Sequence, residues 1–326
     1  MIIVTGGSGF IGSYLQAKLH KRGEEVIVVD WLEDQGKWHN LQHHAPSRIV
    51  NPDDIDELLK EKIDVKAIFH MGAISSTTAS NGDLVWSTNV TLSQKLWHYC
   101  SEREIPFIYA SSAATYGAAS SPEEFSDDVE TLDRLRPLNL YGWSKHTFDQ
   151  WVLFQIKNKR KAPSQWAGLK FFNVYGPNEY HKGGMISVVK VKYDEVSKDL
   201  PVKLFKSDVA GIADGMQARD FIWVGDVVDI MLWIFDNKHV SGLFNCGTGV
   251  ARTYLDLAYA VCDAVGKPRQ IEFINMPKKL QGQYQSYTCA NMKKIKDAGY
   301  KKGFTTLESG VSHYINNFLS KNFPYL

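Results

Sequence analysis

A phenol and an ammonium stand four residues apart in Tyr141-Gly142-Trp143-Ser144-Lys145. On a helix that spacing puts both on one face, within reach of each other. A phenol titrates near pH 10, so service as a base at neutral pH asks for a fall of about three pH units, worth roughly 4 kcal/mol. A neighbouring cation acts in that direction, which gives Lys145 a task. By itself the pattern is common on helices. It gains weight from Tyr109-Ala110-Ser111-Ser112-Ala113-Ala114-Thr115-Tyr116-Gly117, an apolar strand that ends in hydroxyls. Ser112 there suits orientation of a substrate hydroxyl, and strand-end capping is its other reading.

A second chemical signal opens the chain. Gly6-Gly7-Ser8-Gly9-Phe10-Ile11-Gly12 follows the β-branched run 2–5 and precedes apolar residues at helical spacing, Ile11, Leu15 and Leu19. Strand, glycine turn and helix together form the setting in which backbone N–H groups and a helix N-terminus hold a pyrophosphate. Glycines that only make a sharp turn would not need this context. Asp30 closes the next apolar run, 25–30, where an acidic side chain commonly accepts a hydrogen bond from the adenosine ribose and so favours NAD. Lys37 lies close behind and would suit the 2′-phosphate of NADP, unless it is a solvated surface lysine. Arg48 is the nearest second basic candidate.

These groups need elements to hold them. Strand-like runs at 25–30, 67–70, 106–110 and 166–172 alternate with helix-like stretches at 53–62, 84–103 and 140–159. Such alternation predicts an α/β fold, a doubly wound parallel (Rossmann) sheet whose carboxyl edge binds ligands. Beyond residue 176 prolines and glycines break the pattern, and helices at 226–235 and 254–265 flank a strand-like 242–245. The chain therefore reads as a dinucleotide-binding domain, mainly 1–175. A smaller interleaved substrate lobe, mainly 176–326, returns to the sheet near 220–250. A length of 326 residues fits two lobes.

Composition narrows the partners. Lys and Arg total 37 against 36 Asp and Glu, so nucleic acid and anionic membranes are not expected, and a small molecule is. The most apolar late stretch, 221–235, is broken by Asp226 and Asp229, too polar to span a bilayer. The opening residues leave no room for an export signal before the first strand. Cys100, Cys246, Cys262 and Cys289 show no paired spacing, which points to reduced thiols in a cytoplasmic protein and gives no support to a metal site.

Taken in order, Gly6-x-x-Gly9-x-x-Gly12, Ser112, Tyr141-x-x-x-Lys145 and Phe172-Asn173-Val174-Tyr175-Gly176-Pro177 resemble the extended short-chain dehydrogenase/reductases, as do Arg219-Asp220-Phe221 and Phe244-Asn245-Cys246-Gly247. A narrower resemblance, to the ADP-glyceromanno-heptose 6-epimerase family, is carried by His181-Lys182-Gly183-Gly184-Met185, Ile105-Pro106-Phe107 and Lys279-Leu280-Gln281-Gly282-Gln283-Tyr284-Gln285.

This resemblance implies an epimerase that inverts C6 of the heptose in ADP-D-glycero-β-D-manno-heptose by transient oxidation with a bound nicotinamide, in the supply of lipopolysaccharide core precursor. It makes Tyr141 and Lys182 the two acid/bases, assisted by Lys145 and Ser112. A flexible loop lysine is the other reading of Lys182, and His181 has several structural uses. NADP is the implied cofactor, with NAD kept open by Asp30. The implied cofactor residues are Gly6, Gly9, Phe10, Ile11, Gly12, Asp30, Trp31, Lys37, Met71, Ala73, Ser75, Asn89, Tyr141, Lys145, Val174 and Lys182. Substrate falls to Ser112, Asn173, Gly184, Phe205, Lys206, Arg219 and Tyr284, with the Arg219 fork suited to a diphosphate. A homo-oligomer, with a pentamer as candidate state, is also implied. Two departures stand out: Gly184 replaces a serine frequent in that family, and the segment 207–217 is longer than its usual loop. Another epimerase or dehydratase on a UDP-, GDP- or dTDP-sugar is the alternative function. A non-catalytic nucleotide-binding protein is the second.

Overall fold

The computed structural model describes residues 1–33, 36–277 and 285–326. The short apolar runs become parallel strands: β1 (Ile2–Thr5), β2 (Val26–Val29), β3 (Arg48–Val50), β4 (Ala67–His70), β5 (Phe107–Ser112) and β6 (Trp166–Phe171). Between them lie helices α1 (Phe10–Lys21), α2 (Ile55–Lys60), α3 (Gly82–Trp86), α4 (Leu92–Arg103) and α5 (Leu140–Lys157). The expected single helix over 84–103 is instead α3 and α4 joined by a π-helical turn, Ser87–Thr91. After β6 come β7 (Asn173–Tyr175), α6 (Val188–Ser197), β8 (Val202–Phe205), β9 (Ala218–Trp223), α7 (Val224–Asp236) and β10 (Gly242–Cys246). The chain continues through β11 (Ala251–Thr253), α8 (Tyr254–Val265), β12 (Ile271–Ile274), α9 (Lys293–Asp297) and α10 (Leu307–Tyr314).

Seven strands form one sheet in the order β10-β6-β5-β4-β1-β2-β3, so the late strand β10 does return to the sheet, beside β6. Every pair in it is parallel. The strand order reverses direction between β1 and β4, the place where open α/β sheets leave a crevice at their carboxyl edge.

Alternation along each strand builds two cores. Ile2 and Val4 join Phe10, Leu15 and Leu19 of α1 and the inner face of α7 on one side. On the other side Ile3, Phe107 and Tyr109 pack against Leu96 and Trp97 of α4 and Phe148 and Val152 of α5. Helices therefore cover both faces, which is why the strands read as continuous apolar runs. Among the described residues there are also two small sheets, β11-β9-β7 and β12-β8, and β7 runs parallel to β9 from Asn173↔Phe221 to Tyr175↔Trp223. Among the described residues no helix is long and apolar enough to cross a membrane.

Candidate active site

At the end of β1 the glycine loop turns under tight contact. Gly6 has φ +65°, and a Cβ there would lie 2.5 Å from the Gly72 nitrogen, just beyond β4. The loop and the residues after β4 thus meet at the crevice. Met71 N donates to Thr5 O at 3.0 Å, and Gly72 N donates to Thr5 Oγ1 at 3.2 Å. Gly9 caps α1 without a side chain, and no acidic residue occupies the first turn. The first-turn N–H groups of Phe10, Ile11 and Gly12 are left for an anion, and the positive end of the helix dipole favours one. A Cβ at Gly9 would touch only Gly6 O, at 3.2 Å, so the loop's outer side is open to a close backbone approach. The loop fits a dinucleotide.

Asp30, just past β2, is a hub. Its Oδ2 accepts Ser8 N at 2.9 Å and Ser8 Oγ at 2.5 Å, while Oδ1 accepts Lys37 Nζ at 2.9 Å. Lys37 also donates to Trp31 O at 2.7 Å and is buried, which overturns the reading of it as a solvated surface lysine. A cavity of about 430 Å³ opens among Asp30, Trp31, Leu32, Glu33, Ile49 and Asn51, at the carboxyl ends of β2 and β3. Arg48 does not reach it. That residue pairs with Glu61 at 2.8 Å and stands in register with Ile27, three residues back from Asp30. Three residues of strand set it about 10 Å behind the carboxyl edge.

Asn139 caps α5 by accepting Gly142 N at 2.8 Å, which fixes Tyr141 in the helix's first turn. A Cβ at Gly142 would lie 2.7 Å from Ala114 O, so glycine lets this turn approach the 3₁₀ turn Ala113–Tyr116 that follows β5. The Tyr141 phenol thereby shares a hydrogen bond with the Ser112 side chain. Ser112 Oγ also accepts Ala114 N at 3.1 Å, which is the strand-end cap.

The electrostatics differ from the sequence argument. Burial pushes the Tyr141 phenol up, Asp149 adds to that, and the bond to Ser112 pulls it back. Burial likewise pushes Lys145 down to about 8, against the pull of Asp149. The sequence argument had Lys145 lower the phenol. The low-dielectric surroundings dominate instead, disfavouring charge on both groups.

Behind this pair runs a buried polar network that sequence reasoning missed. Asp149, one turn beyond Lys145, accepts Tyr109 OH at 3.0 Å and Ser111 Oγ at 2.7 Å, and pairs with Lys170 at 3.0 Å. Lys170 Nζ also donates to Thr115 Oγ1 at 2.7 Å, which ties β6 to the turn after Ser112. The signal was available: a lysine inside the otherwise apolar strand 166–172 needs a buried partner.

Asn89, read as a cofactor contact, is fully buried in the π-helical turn. Its amide accepts Ile74 N at 2.8 Å and donates to Ile74 O at 3.0 Å and to Ser144 Oγ at 3.0 Å. Ser144 Oγ in turn donates to Tyr141 O at 2.7 Å. Asn89 thus brackets the loop carrying Met71, Ala73 and Ser75 to the tyrosine's helix. Beneath it His70 bridges Thr5 Oγ1 at 2.6 Å and Ser93 Oγ at 2.8 Å. Ser93 Oγ donates to Asn89 O, so it accepts from His70, which sets the neutral ring with its proton on Nε2.

Lys182 lies on the 3₁₀ segment Tyr180–Met185 after β7, half-buried, with Nζ 5.2 Å from the Phe10 ring centre. Burial lowers its ordinary value and nearby Glu179 opposes the change. A freely solvated loop lysine would show neither effect. His181 approaches Asn40 Nδ2 at 3.4 Å, and burial lowers it to about 4. Gly184 is exposed, with open space around it. Val174 and Asn173 stand on β7, and Asn173 Oδ1 accepts Thr288 Oγ1 at 3.3 Å.

In the second half Phe205 ends β8, followed by exposed Lys206. The long segment 207–217 is tied back on itself by Ser207 N to Asp214 Oδ1 at 2.8 Å and by Gln217 Nε2 to Lys206 O at 3.3 Å. Arg219 on β9 is buried, its guanidinium 5.7 Å from the Tyr254 ring centre. The next residue, Asp220, accepts Thr248 N, Thr248 Oγ1, Gly249 N and Ala290 N within 3.0 Å, and so anchors that strand. Tyr284 and residues 279–283 of the 279–285 motif lie outside the described residues. A larger cavity of about 510 Å³ between Pro122 and Lys296 holds none of the predicted side chains.

Residues 2–247 match the NAD dependent epimerase/dehydratase family. Over the whole of both chains the sequence is 44% identical to the ADP-L-glycero-D-manno-heptose-6-epimerase of Fusobacterium nucleatum. It is 46% identical to that of Nitratidesulfovibrio vulgaris, again over both full lengths. The crystal structure of the Helicobacter pylori ADP-L-glycero-D-manno-heptose-6-epimerase is similar with a TM-score of 0.80 and 28% identity, covering 97% of this chain and 95% of that one.

Proposed function

Since the chain belongs to the NAD dependent epimerase/dehydratase family, we propose that it inverts C6 of the heptose in ADP-D-glycero-β-D-manno-heptose to give the L-glycero epimer. The observation that carries this reading is full-length identity of 44–46% to enzymes named for that reaction. A bound nicotinamide supplies reversible hydride acceptance at the sugar carbon. The chain's own residues do the rest. Tyr141, hydrogen-bonded to Ser112, exchanges the proton of the C6 hydroxyl on one face. Lys182 exchanges it on the other, and its half-buried place eases the neutral form a base needs. Lys145 and Ser112 orient the phenol and the substrate hydroxyl. Arg219, with Asn173, Phe205, Lys206 and Tyr284, takes the nucleotide sugar, the guanidinium pairing with the diphosphate.

The cofactor we assign is NADP. Support comes from Lys37: held on Asp30, it offsets the negative charge that would repel a 2′-phosphate. The cofactor contacts in this assignment are Gly6, Gly9, Phe10, Ile11, Gly12, Trp31, Met71, Ala73, Ser75 and Val174, with Asn89 holding that loop from behind.

The test is incubation with ADP-D-glycero-β-D-manno-heptose, following C6 configuration by NMR. Conversion is expected, with a loss of about 10²- to 10⁴-fold in Tyr141→Phe and in Lys182→Ala. Full turnover in Lys182→Ala would end the two-base account. Protection from heat by UDP or GDP but not ADP would move the substrate to another nucleotide sugar.

A further inference from the structure

Lys182 depends on its backbone for position. Among the described residues its ammonium makes no hydrogen bond or ion pair, and on its C-terminal side Gly183, with φ +51°, and Gly184 have open space around them. The anchoring nearest Lys182 lies on the N-terminal side, at Asn178 to Tyr180, and beyond the two glycines Thr77 Oγ1 reaches Met185 Sδ at 3.9 Å. Asn178 is fully buried in a left-handed conformation, φ +74°, and donates to Ser13 Oγ at 3.0 Å. Glu179 accepts Ser187 N, Ser187 Oγ and Tyr314 OH at 2.6 to 3.0 Å.

The remaining anchors come from residues 323–326. Leu326 N donates to Asn178 Oδ1 at 2.9 Å, and Tyr180 OH donates to Pro324 O at 2.8 Å. The Tyr325 ring meets Tyr180 edge-on at 5.1 Å and stacks on His39 at 5.1 Å and 25°. Phe323 meets His43 edge-on at 4.7 Å. His39 belongs to the 3₁₀ segment Lys37–Leu41, whose Asn40 donates to Ser8 O at 2.8 Å and to Asn178 O at 3.1 Å. The four residues therefore join the segment that pairs with Asp30 and braces the glycine loop to the segment that carries Lys182.

We propose that residues 323–326 are a positioning strap for Lys182, holding the start of the 3₁₀ segment Tyr180–Met185 against the glycine loop so that the ammonium stays over Phe10. The proposal rests on the reading of Lys182 as the second acid/base. Displacing a reacting group by about 1 Å can cost on the order of 10²-fold in rate, so a strap of this kind acts on turnover before it acts on binding.

The experiment is a double-mutant cycle on NADP-loaded enzyme, with a chain ending at Asn322 made in the Lys182 and Lys182→Ala backgrounds. Expected in the Lys182 background is a kcat loss of about 10- to 100-fold, with KM for ADP-D-glycero-β-D-manno-heptose within about twofold and bound NADP unchanged. In the Lys182→Ala background the shortening should cost nothing further, because its effect runs through that side chain. Tyr325→Phe should keep near-full kcat and Tyr325→Ala should lose it, and these variants decide the matter if the shortened chain does not fold. Unchanged kcat on shortening, an equal loss in both backgrounds, or a loss explained by released NADP overturns the strap. Full turnover of Lys182→Ala in the intact chain instead removes the premise.

Discussion

Replacing Lys170 by methionine should be among the most damaging single changes in the protein, although the residue lies in the buried network behind Tyr141 and Lys145. Lys170 and Asp149 have no solvent exposure, and their 3.0 Å contact is the ion pair that the carboxylate makes among the described residues. Asp149 would keep the hydroxyls of Tyr109 and Ser111, which solvate the charge without neutralising it. Leaving one partner of a buried pair uncompensated costs about 3–5 kcal/mol. For a chain of 326 residues the unfolding entropy is roughly 0.7 kcal/mol per degree, so 4 kcal/mol amounts to about 6 °C in Tm. A second change tells lost packing from lost charge. Asp149→Asn keeps an acceptor for Tyr109 and Ser111 while removing the charge, so the double variant Lys170→Met/Asp149→Asn should recover at least about 2 kcal/mol over Lys170→Met alone. Urea titration followed by tryptophan fluorescence, at saturating NADP throughout, measures both. A Lys170→Met loss below about 1 kcal/mol, or a double variant as unstable as the sum of the singles, would refute the reasoning.

Other perturbations follow from the same geometry. Gly6→Ala should abolish cofactor retention and lower Tm, because a Cβ at φ +65° would sit 2.5 Å from the Gly72 backbone; wild-type NADP content in the purified variant would contradict this. Lys37→Gln leaves Asp30 without its cation, so affinity for NADP should fall about tenfold, or 1.4 kcal/mol, more than affinity for NAD. Parallel weakening of both in a fluorescence titration would remove Lys37 from the discrimination. His70 is held neutral by burial, its value lowered to about 3, so the unfolded chain binds a proton that the folded one refuses. Its contribution is complete above pH 6.5 and is lost as pH falls toward 3, at about 1.4 kcal/mol per pH unit. His70→Gln should remove that slope between pH 4 and 6, and equal slopes in the two proteins would exclude the assignment.

Much of this architecture is legible from local pattern. The glycine loop, the strand ending at Asp30 and the helix carrying Tyr141 and Lys145 announce themselves because strand, turn and helix each have a short-range period. The helix over 254–265 agrees with α8 for the same reason. What escaped depends on contacts distant in sequence. β3 is three residues long, with two of them exposed, and no alternation develops in so short an edge. β8 pairs with β12 some 70 residues later, and neither carries a signal of its partner. The π-helical turn Ser87–Thr91 inserts a residue's worth of slip into an otherwise helical period, and it is there that Asn89 finds Ser144. Arg48 was misplaced because nearness in sequence to Asp30 says nothing of which end of β3 it occupies. The contacts of residues 323–326 were not legible either, since a short aromatic and apolar run carries no signal of its distant partners His39, Asn178 and Tyr180.

The late return of β10 to the sheet bears on how the protein is made. During synthesis β6 is complete at Phe171, yet its second neighbour closes only at Cys246, 75 residues later. At about 5–20 residues per second the open edge persists for roughly 4–15 s, while an apolar strand already paired with β5 offers unmet N–H and C=O groups to any other chain nearby. A nascent chain arrested before Gly242 should therefore be a chaperone client and proteolytically labile, whereas one released past Cys246 should not. The order in which strands leave the ribosome, and not only the finished sheet, sets the window in which this protein is exposed to misassembly.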